Sequence, residues 1–262
     1  MIGVAGCGRM GAPMLAALRD GGATASGFDI ADKGAAYITS NVMAFAPRLE
    51  TLFSVVRDAD ETDALLFDRQ NLIQTAPNLR CIFICSTLSP RYVLRLRARI
   101  PARITLIDAP MSGAQVAAEN RTLSFMLGGA QRDIDDAIPL LALMGQHFHH
   151  MGGYGAGMQA KVLNNLLAAS HTAMTRLVLD WADQAQLDQD KLLGLINTSS
   201  GQNWLASGYH DIEFARDGHA PDNTIGILVK DVAAALDAAP DGADITLPQT
   251  VQTAIRNLTP RQ

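Results

Sequence analysis

The sequence predicts an α/β fold in two parts. A mostly parallel sheet domain occupies residues 1–153, and an all-α domain built on one long helix occupies residues 154–262. Three observations carry this. Short apolar strands alternate with helical patterns through the first half, the signature of βαβ units. A glycine-rich turn, Gly6-Cys7-Gly8-Arg9-Met10-Gly11, joins the first strand to the first helix. After the glycine cluster at 152–157 no strand pattern returns, and apolar residues recur at helical spacing instead.

Taken in order, residues 1–5 form an apolar strand, and Met10, Met14, Leu15 and Leu18 space out a helix over 9–20. A strand over 23–29 and a helix over 32–39 follow, then a strand over 51–56 and a helix over 60–68. The run Cys81-Ile82-Phe83-Ile84-Cys85 is apolar without a break, which suits a strand covered on both faces. A helix over 90–100, a strand over 104–108, a strand over 122–127, a helix over 132–143 and a strand over 148–151 complete the first domain. The long helix covers 156–186. Its Leu163, Leu166, Leu167, Met174, Leu177, Val178 and Trp181 spread round most of the circumference, so neighbours are expected to bury it. Helices over 189–197, 224–239 and 248–258 close the chain, with loop and a short helix between 198 and 223.

Composition narrows the function. The chain has 262 residues, 48% hydrophobic and 18% charged, enough for a sizeable core. A net charge of −5 leaves no basic footprint, which argues against a nucleic-acid binder. No apolar run reaches membrane-spanning length, and the N-terminus enters a strand at once, leaving nothing for a targeting segment. Three cysteines, Cys7, Cys81 and Cys85, are too few for a disulfide framework, so a reducing cytoplasm is expected. His147 and His149 share a strand face, but no third ligand with suitable spacing accompanies them and His150, so no metal site is expected.

The glycine-rich turn is G-x-G-x-x-G between strand and helix, the setting in which it binds a dinucleotide. Gly6 permits the tight turn, Gly8 lets the backbone approach a pyrophosphate, and Gly11 brings helix and strand close. The helix N-terminus offers N–H groups and a positive dipole end to the phosphates. Asp29 ends the next strand. Its carboxylate suits the ribose hydroxyls and repels a 2′-phosphate, which favours NAD over NADP. Asp108-Ala109-Pro110-Met111-Ser112-Gly113 follows another strand, where it is either a structural turn or a cradle for a carboxylate. Lys161 and Asn165, four apart, share a face near the start of the long helix with Asn164 beside them. They are either a solvated helix start or polar groups that need partners.

Taken together, these motifs resemble the β-hydroxyacid dehydrogenase family, the group of 3-hydroxyisobutyrate dehydrogenase and tartronate semialdehyde reductase. Gly6–Gly11, with Met10, is similar to the family's G-x-G-x-M-G, and Ser86-Thr87-Leu88-Ser89-Pro90 to its S-T-x-x-P loop. Asp108–Gly113, with Thr122-Leu123 and Gly128-Gly129, resembles its substrate signature, and Gly155-x-Gly157-x-x-x-Lys161-x-x-Asn164-Asn165 its catalytic helix. Lys230-Asp231 resembles a later K-D-L element. The resemblance implies a Rossmann-type first domain, a helical domain that forms a homodimer or homotetramer, and reversible NAD- or NADP-linked oxidation of a small β-hydroxy acid. It implies Lys161 as the catalytic residue with Asn165. Ser112, Gly113, Asn164 and Lys230 would serve the substrate, Lys230 toward the nicotinamide end. Gly6, Gly8, Arg9, Met10, Gly11, Asp29, Val56 and Thr87 would serve the cofactor. The chain departs from the family at Ala114 and Arg121, both glycine positions there, and at Leu177, where an acidic residue is usual. Ala114 and Arg121 prompt a second reading, a reductase of an unusual semialdehyde or imine, and a third is a catalytically silent dinucleotide-binding sensor.

Overall fold

The structure, a computed structural model, describes residues 1–261 and divides into two compact units, one over Met1–Lys161 and one from Val162 onward. The first holds a nine-stranded sheet of β1 (Ile2–Ala5), β2 (Ala25–Phe28), β3 (Ile38–Thr39), β4 (Thr51–Ser54), β5 (Cys81–Ile84), β6 (Thr105–Asp108), β7 (Met111–Ser112), β8 (Leu123–Gly128) and β9 (Gly145–Gly152). The first six run parallel in the order β3-β2-β1-β4-β5-β6, the doubly wound arrangement whose strand order reverses beside β1. Then β8 pairs antiparallel with the end of β6 and with β7, and parallel with β9.

Helices α1 (Gly11–Asp20), α2 (Val42–Phe45), α3 (Ala59–Leu66), α4 (Leu72–Thr75), α5 (Pro90–Arg99), α6 (Ala114–Glu119) and α7 (Gln131–Leu141) cover the sheet. Strand alternation explains the unbroken apolar runs. Phe53 and Phe83 point into one core, where their rings stack 4.5 Å apart, while Leu52, Ile82 and Ile84 point into the core on the other face. Each such side chain contributes about 1.5–3 kcal/mol on burial.

One predicted element fails. Residues 32–39 are not a helix. Asp32 accepts the Gly34 N–H in a tight Asx-type turn, Gly34 takes φ +66°, and the segment ends in β3. A helix waits for α2, where Asn41 accepts from the Met43 N–H as its cap.

The long helix α8 (Ala156–Gln184) begins in the first unit and continues into the second, where α9 (Gln189–Asn197), α10 (Trp204–Ser207), α11 (Thr224–Asp237) and α12 (Thr246–Arg256) accompany it. The division falls inside α8 because its first turns pack on the sheet. A Cβ on Gly157 would meet the Met126 carbonyl, and Met158 lies in the core around Ile82. In the second unit Ala169, Ile225, Val232 and Ile255 form one core, and Leu179, Leu193, Leu205 and Tyr209 another. Arg176 is fully buried, its guanidinium donating to the carbonyls of Ala215, Asp217 and Thr259. The expectation that neighbours bury α8 all round is corrected. Leu163, Leu167, Met174 and Trp181 are each more than half exposed, so one side of the helix lacks cover from this chain.

Candidate functional site

Four parallel strands end at one rim of the first unit. Gly6, at φ +90°, turns the chain out of β1 so tightly that a Cβ there would lie 2.6 Å from the Val55 carbonyl. Gly11 opens α1 against the Gly6 carbonyl, leaving no room for a side chain. Gly8 differs: a Cβ there would meet nothing within 4 Å. Its bareness serves no packing in this chain, and it leaves an exposed stretch of backbone that a ligand can approach closely. Arg9 beside it is exposed, and α1 has no side-chain cap and no acidic residue in its first turn. An uncapped helix start behind an open glycine loop fits a pyrophosphate.

Asp29, just past β2, is part of this rim. Its Oδ2 accepts the Cys7 N–H at 2.9 Å and lies 3.4 Å from Lys33 Nζ, and its Oδ1 accepts the Ala31 N–H at 2.9 Å. Val56 follows β4, with its amide against Gly6 and its carbonyl accepting the Ser86 hydroxyl at 2.6 Å. Thr87, half-buried, follows β5. The Cys7 thiol, buried inside the glycine loop, is pushed up to about 12, first by burial and then by Asp29, so it is uncharged at neutral pH.

The loop after β6 makes a second locus. Ser112 ends β7 half-buried, and Gly113, at φ +130°, is exposed at the start of α6. Ala114 at φ +56° and Arg121 at φ +58° keep a left-handed backbone where glycine is the natural choice. The loop therefore holds the glycine conformation without the glycines, at a cost of about 1 kcal/mol per site. Ala114→Gly is expected to stabilise the protein by about 0.5–1 kcal/mol, read as a higher midpoint in urea. An unchanged or lowered midpoint would contradict the assigned strain. Arg121 also pairs with Asp20 at 2.6 Å, an exposed contact of small value.

The third locus is α8. Asp108, at the end of β6 and fully buried, accepts the Gly155 N–H at 2.6 Å and the Met158 N–H at 2.5 Å. A carboxylate from the sheet thus caps the start of this helix. Burial raises the Asp108 carboxyl above its ordinary range, and the backbone N–H donors pull it back down. Lys161 is 7% and Asn165 8% exposed, so neither is a solvated helix start. Asn164 is exposed and donates to Asn165 Oδ1 at 3.3 Å. Asn165 Nδ2 in turn donates to Asp231 Oδ2 at 2.6 Å, and Lys230 Nζ lies 3.2 Å from Asp231 Oδ1. Asp231, buried in α11, is the member that side-chain spacing did not single out. Its sequence signal was the resemblance of Lys230-Asp231 to the K-D-L element, while the contact itself joins residues 66 apart. His150 bonds Gln131 and the Gly129 and Gly152 carbonyls.

Comparison with known proteins agrees with this layout. The model of the NAD-binding domain of 6-phosphogluconate dehydrogenase matches residues 1–153. The model described as NAD-binding of NADP-dependent 3-hydroxyisobutyrate dehydrogenase matches residues 155–258. A 3-hydroxyisobutyrate dehydrogenase of Pseudomonas aeruginosa is 29% identical over 88% of this chain and 82% of its own length. An NAD-dependent L-serine dehydrogenase of the same organism is 30% identical over 78% of this chain and 72% of its own. Among solved structures, a Mycobacterium tuberculosis 3-hydroxyisobutyrate dehydrogenase with L-serine superposes at a TM-score of 0.81. That match covers 98% of this chain and 95% of the other at 23% identity, a likeness of fold. With its open glycine loop, strand order and matching halves, the chain belongs to the β-hydroxyacid dehydrogenase family of NAD(P)-dependent oxidoreductases.

Proposed function

We propose that the protein transfers a hydride between NAD(P) and a small β-hydroxy acid of the 3-hydroxyisobutyrate kind, or its semialdehyde, with Lys161 as general acid–base. The carrying observation is the buried polar set on α8: Lys161 out of solvent, and Asn165 fixed by Asp231. Burying a lysine without use for it is costly. The 3-hydroxyisobutyrate, 2-(hydroxymethyl)glutarate and L-serine dehydrogenases among the relatives share a short acid bearing a hydroxyl.

The bound oxidised nicotinamide would supply the hydride acceptor. Lys161, when neutral, takes the substrate hydroxyl proton at Nζ, and as an ammonium it returns that proton to the alkoxide in reduction. Asn165 orients the hydroxyl without adding charge. Ser112 and the backbone N–H groups around Gly113 receive the carboxylate, with Lys230 and Asn164 as further polar groups on the substrate side. Gly6, Gly8, Arg9, Met10 and Gly11 hold the pyrophosphate, Val56 and Thr87 line the site, and Asp29 favours NAD. The test is turnover at 340 nm with NAD⁺ and NADP⁺ against 3-hydroxyisobutyrate, glycerate, 3-hydroxypropionate, 4-hydroxybutyrate and serine. Activity confined to short β-hydroxy acids supports the reading, and none across the panel sinks it.

The exposed side of α8, with Leu163, Leu167, Met174 and Trp181, supports a homodimer or homotetramer through the helical domain. Sedimentation equilibrium is expected to give a multiple of the 28.0 kDa chain mass, and a monomer at micromolar concentration would refute it. The unpaired thiols of Cys7, Cys81 and Cys85 support a reducing compartment, the cytoplasm, which cell fractionation checks. Among the described residues no helix is long and apolar enough to cross a membrane.

A further inference from the structure

The strand β9 carries a pair of histidines that the proposed reaction leaves unused. Among the described residues its only partner strand is β8, so it lies at an edge of the sheet. Between two irregularities the register runs unbroken, from Ser124 opposite His147 to Leu127 opposite His150. Side chains alternate along this stretch, so His147 and His149 share the face of Ser124 and Met126, and Phe148 and His150 take the other. The second pair is fixed. Phe148 stacks on the buried Phe125 at 6.1 Å. His150 Nδ1 lies 2.8 Å from Gln131 Oε1, and its Nε2 lies 2.9 Å from the Gly129 and Gly152 carbonyls. These contacts hold the backbone that carries His147 and His149.

His147 and His149 are exposed, and among the described residues neither ring has a hydrogen-bond or ion-pair partner. Two residues apart on a strand, they are rooted about 6.6 Å from each other. From that spacing two imidazoles can lean together and each bring a nitrogen to about 2.0–2.1 Å from one ion. Among the described residues no third His, Cys, Asp or Glu joins them, which excludes a closed structural site. An open site remains, with water in the other positions. Imidazole nitrogens favour the later first-row divalent ions, copper(II) and nickel(II) foremost, whereas magnesium takes oxygen ligands.

We propose that His147 and His149 form a two-imidazole binding site for a late first-row divalent ion, nickel(II) or copper(II), at the edge of the sheet. The chelate gives the site its affinity. Once one imidazole has bound, the second meets the ion at a high effective concentration. A histidine outside such a pair has no such gain. His210, exposed and 3.2 Å from Asp190, is the comparison. The proposal stands independently of the dehydrogenase reading.

The experiment is a calorimetric titration of nickel(II) chloride, in a non-coordinating buffer at neutral pH, into the full chain prepared without a histidine tag. Wild type, His147→Ala, His149→Ala and His210→Ala are compared. The wild type is expected to take up one ion per chain. His147→Ala and His149→Ala are each expected to weaken binding about a hundredfold, and His210→Ala to leave it unchanged. Copper(II) is expected to bind more tightly than nickel(II), and magnesium not at all. Circular dichroism checks that the variants fold, a mild demand at exposed positions, and His147→Gln and His149→Gln replace any alanine variant that does not. Wild-type affinity in either single variant of the pair overturns the assignment. So does a loss confined to His210→Ala, or a wild type that takes up no nickel(II).

Discussion

Replacing Lys161 with alanine is expected to lower kcat by about 10²–10⁴-fold, the range that general acid–base catalysis supplies. NADH affinity should stay near that of the wild type, because the glycine loop lies on other elements. The residue is buried, so some loss of stability from the missing stem is expected as well. Lys161→Arg separates chemistry from charge. Arginine keeps the positive charge but does not deprotonate in proteins, so it rescues a lysine that only attracts a carboxylate and fails to rescue one that moves a proton. Single-turnover oxidation with both variants reads the difference. A Lys161→Arg enzyme with most of its kcat would end the acid–base assignment.

Replacing Asp108 with alanine is expected to destabilise the first unit by about 3 kcal/mol or more. The Gly155 and Met158 N–H groups would be left buried without acceptors, at about 1–3 kcal/mol each. For a protein of this size that corresponds to a Tm lower by roughly 6–12 °C. The side chain is a positioning residue: it ties the start of α8 to the end of β6, and Lys161 stands one turn further along that helix. The kinetic signature is therefore a fall in kcat greater than any rise in KM for NAD⁺. Asp108→Asn, which keeps the volume and one acceptor, is expected to fall between alanine and wild type. A Tm within about 2 °C of the wild type in Asp108→Ala would show that the helix start is held by its packing alone.

The first domain was legible because its signals are local. Strand and helix periods, the glycine turn and the apolar run at Cys81–Ile84 each depend on neighbours within a few residues, and every predicted strand appears, while the two-residue strands β3 and β7 carry no such pattern. The helix expected over 32–39 failed because composition there favours a helix only weakly, while a side-chain-to-backbone bond at Asp32 and a left-handed Gly34 favour a turn. Ala114 and Arg121 read as departures in sequence. In space they retain the positive φ of the residues they replace, so the loop changes its side chains and not its path.

The remaining differences have one cause. Residue order carries the 2.0 and 3.6 periods, the caps and the glycine turns, which is why the doubly wound sheet, the long helix, Gly6–Gly11 and Asp29 could be named from the chain alone, while Lys161 and Asn165 were singled out by the family resemblance. The partners of those residues are set by contacts between segments far apart in sequence. Asp231 holds Asn165 across 66 positions, Asp108 caps α8 from 47 and 50 positions away, and Arg176 reaches a carbonyl 83 residues on. No periodicity encodes such pairings. They exist because folding buries polar groups that must then find donors and acceptors wherever the packing has brought them.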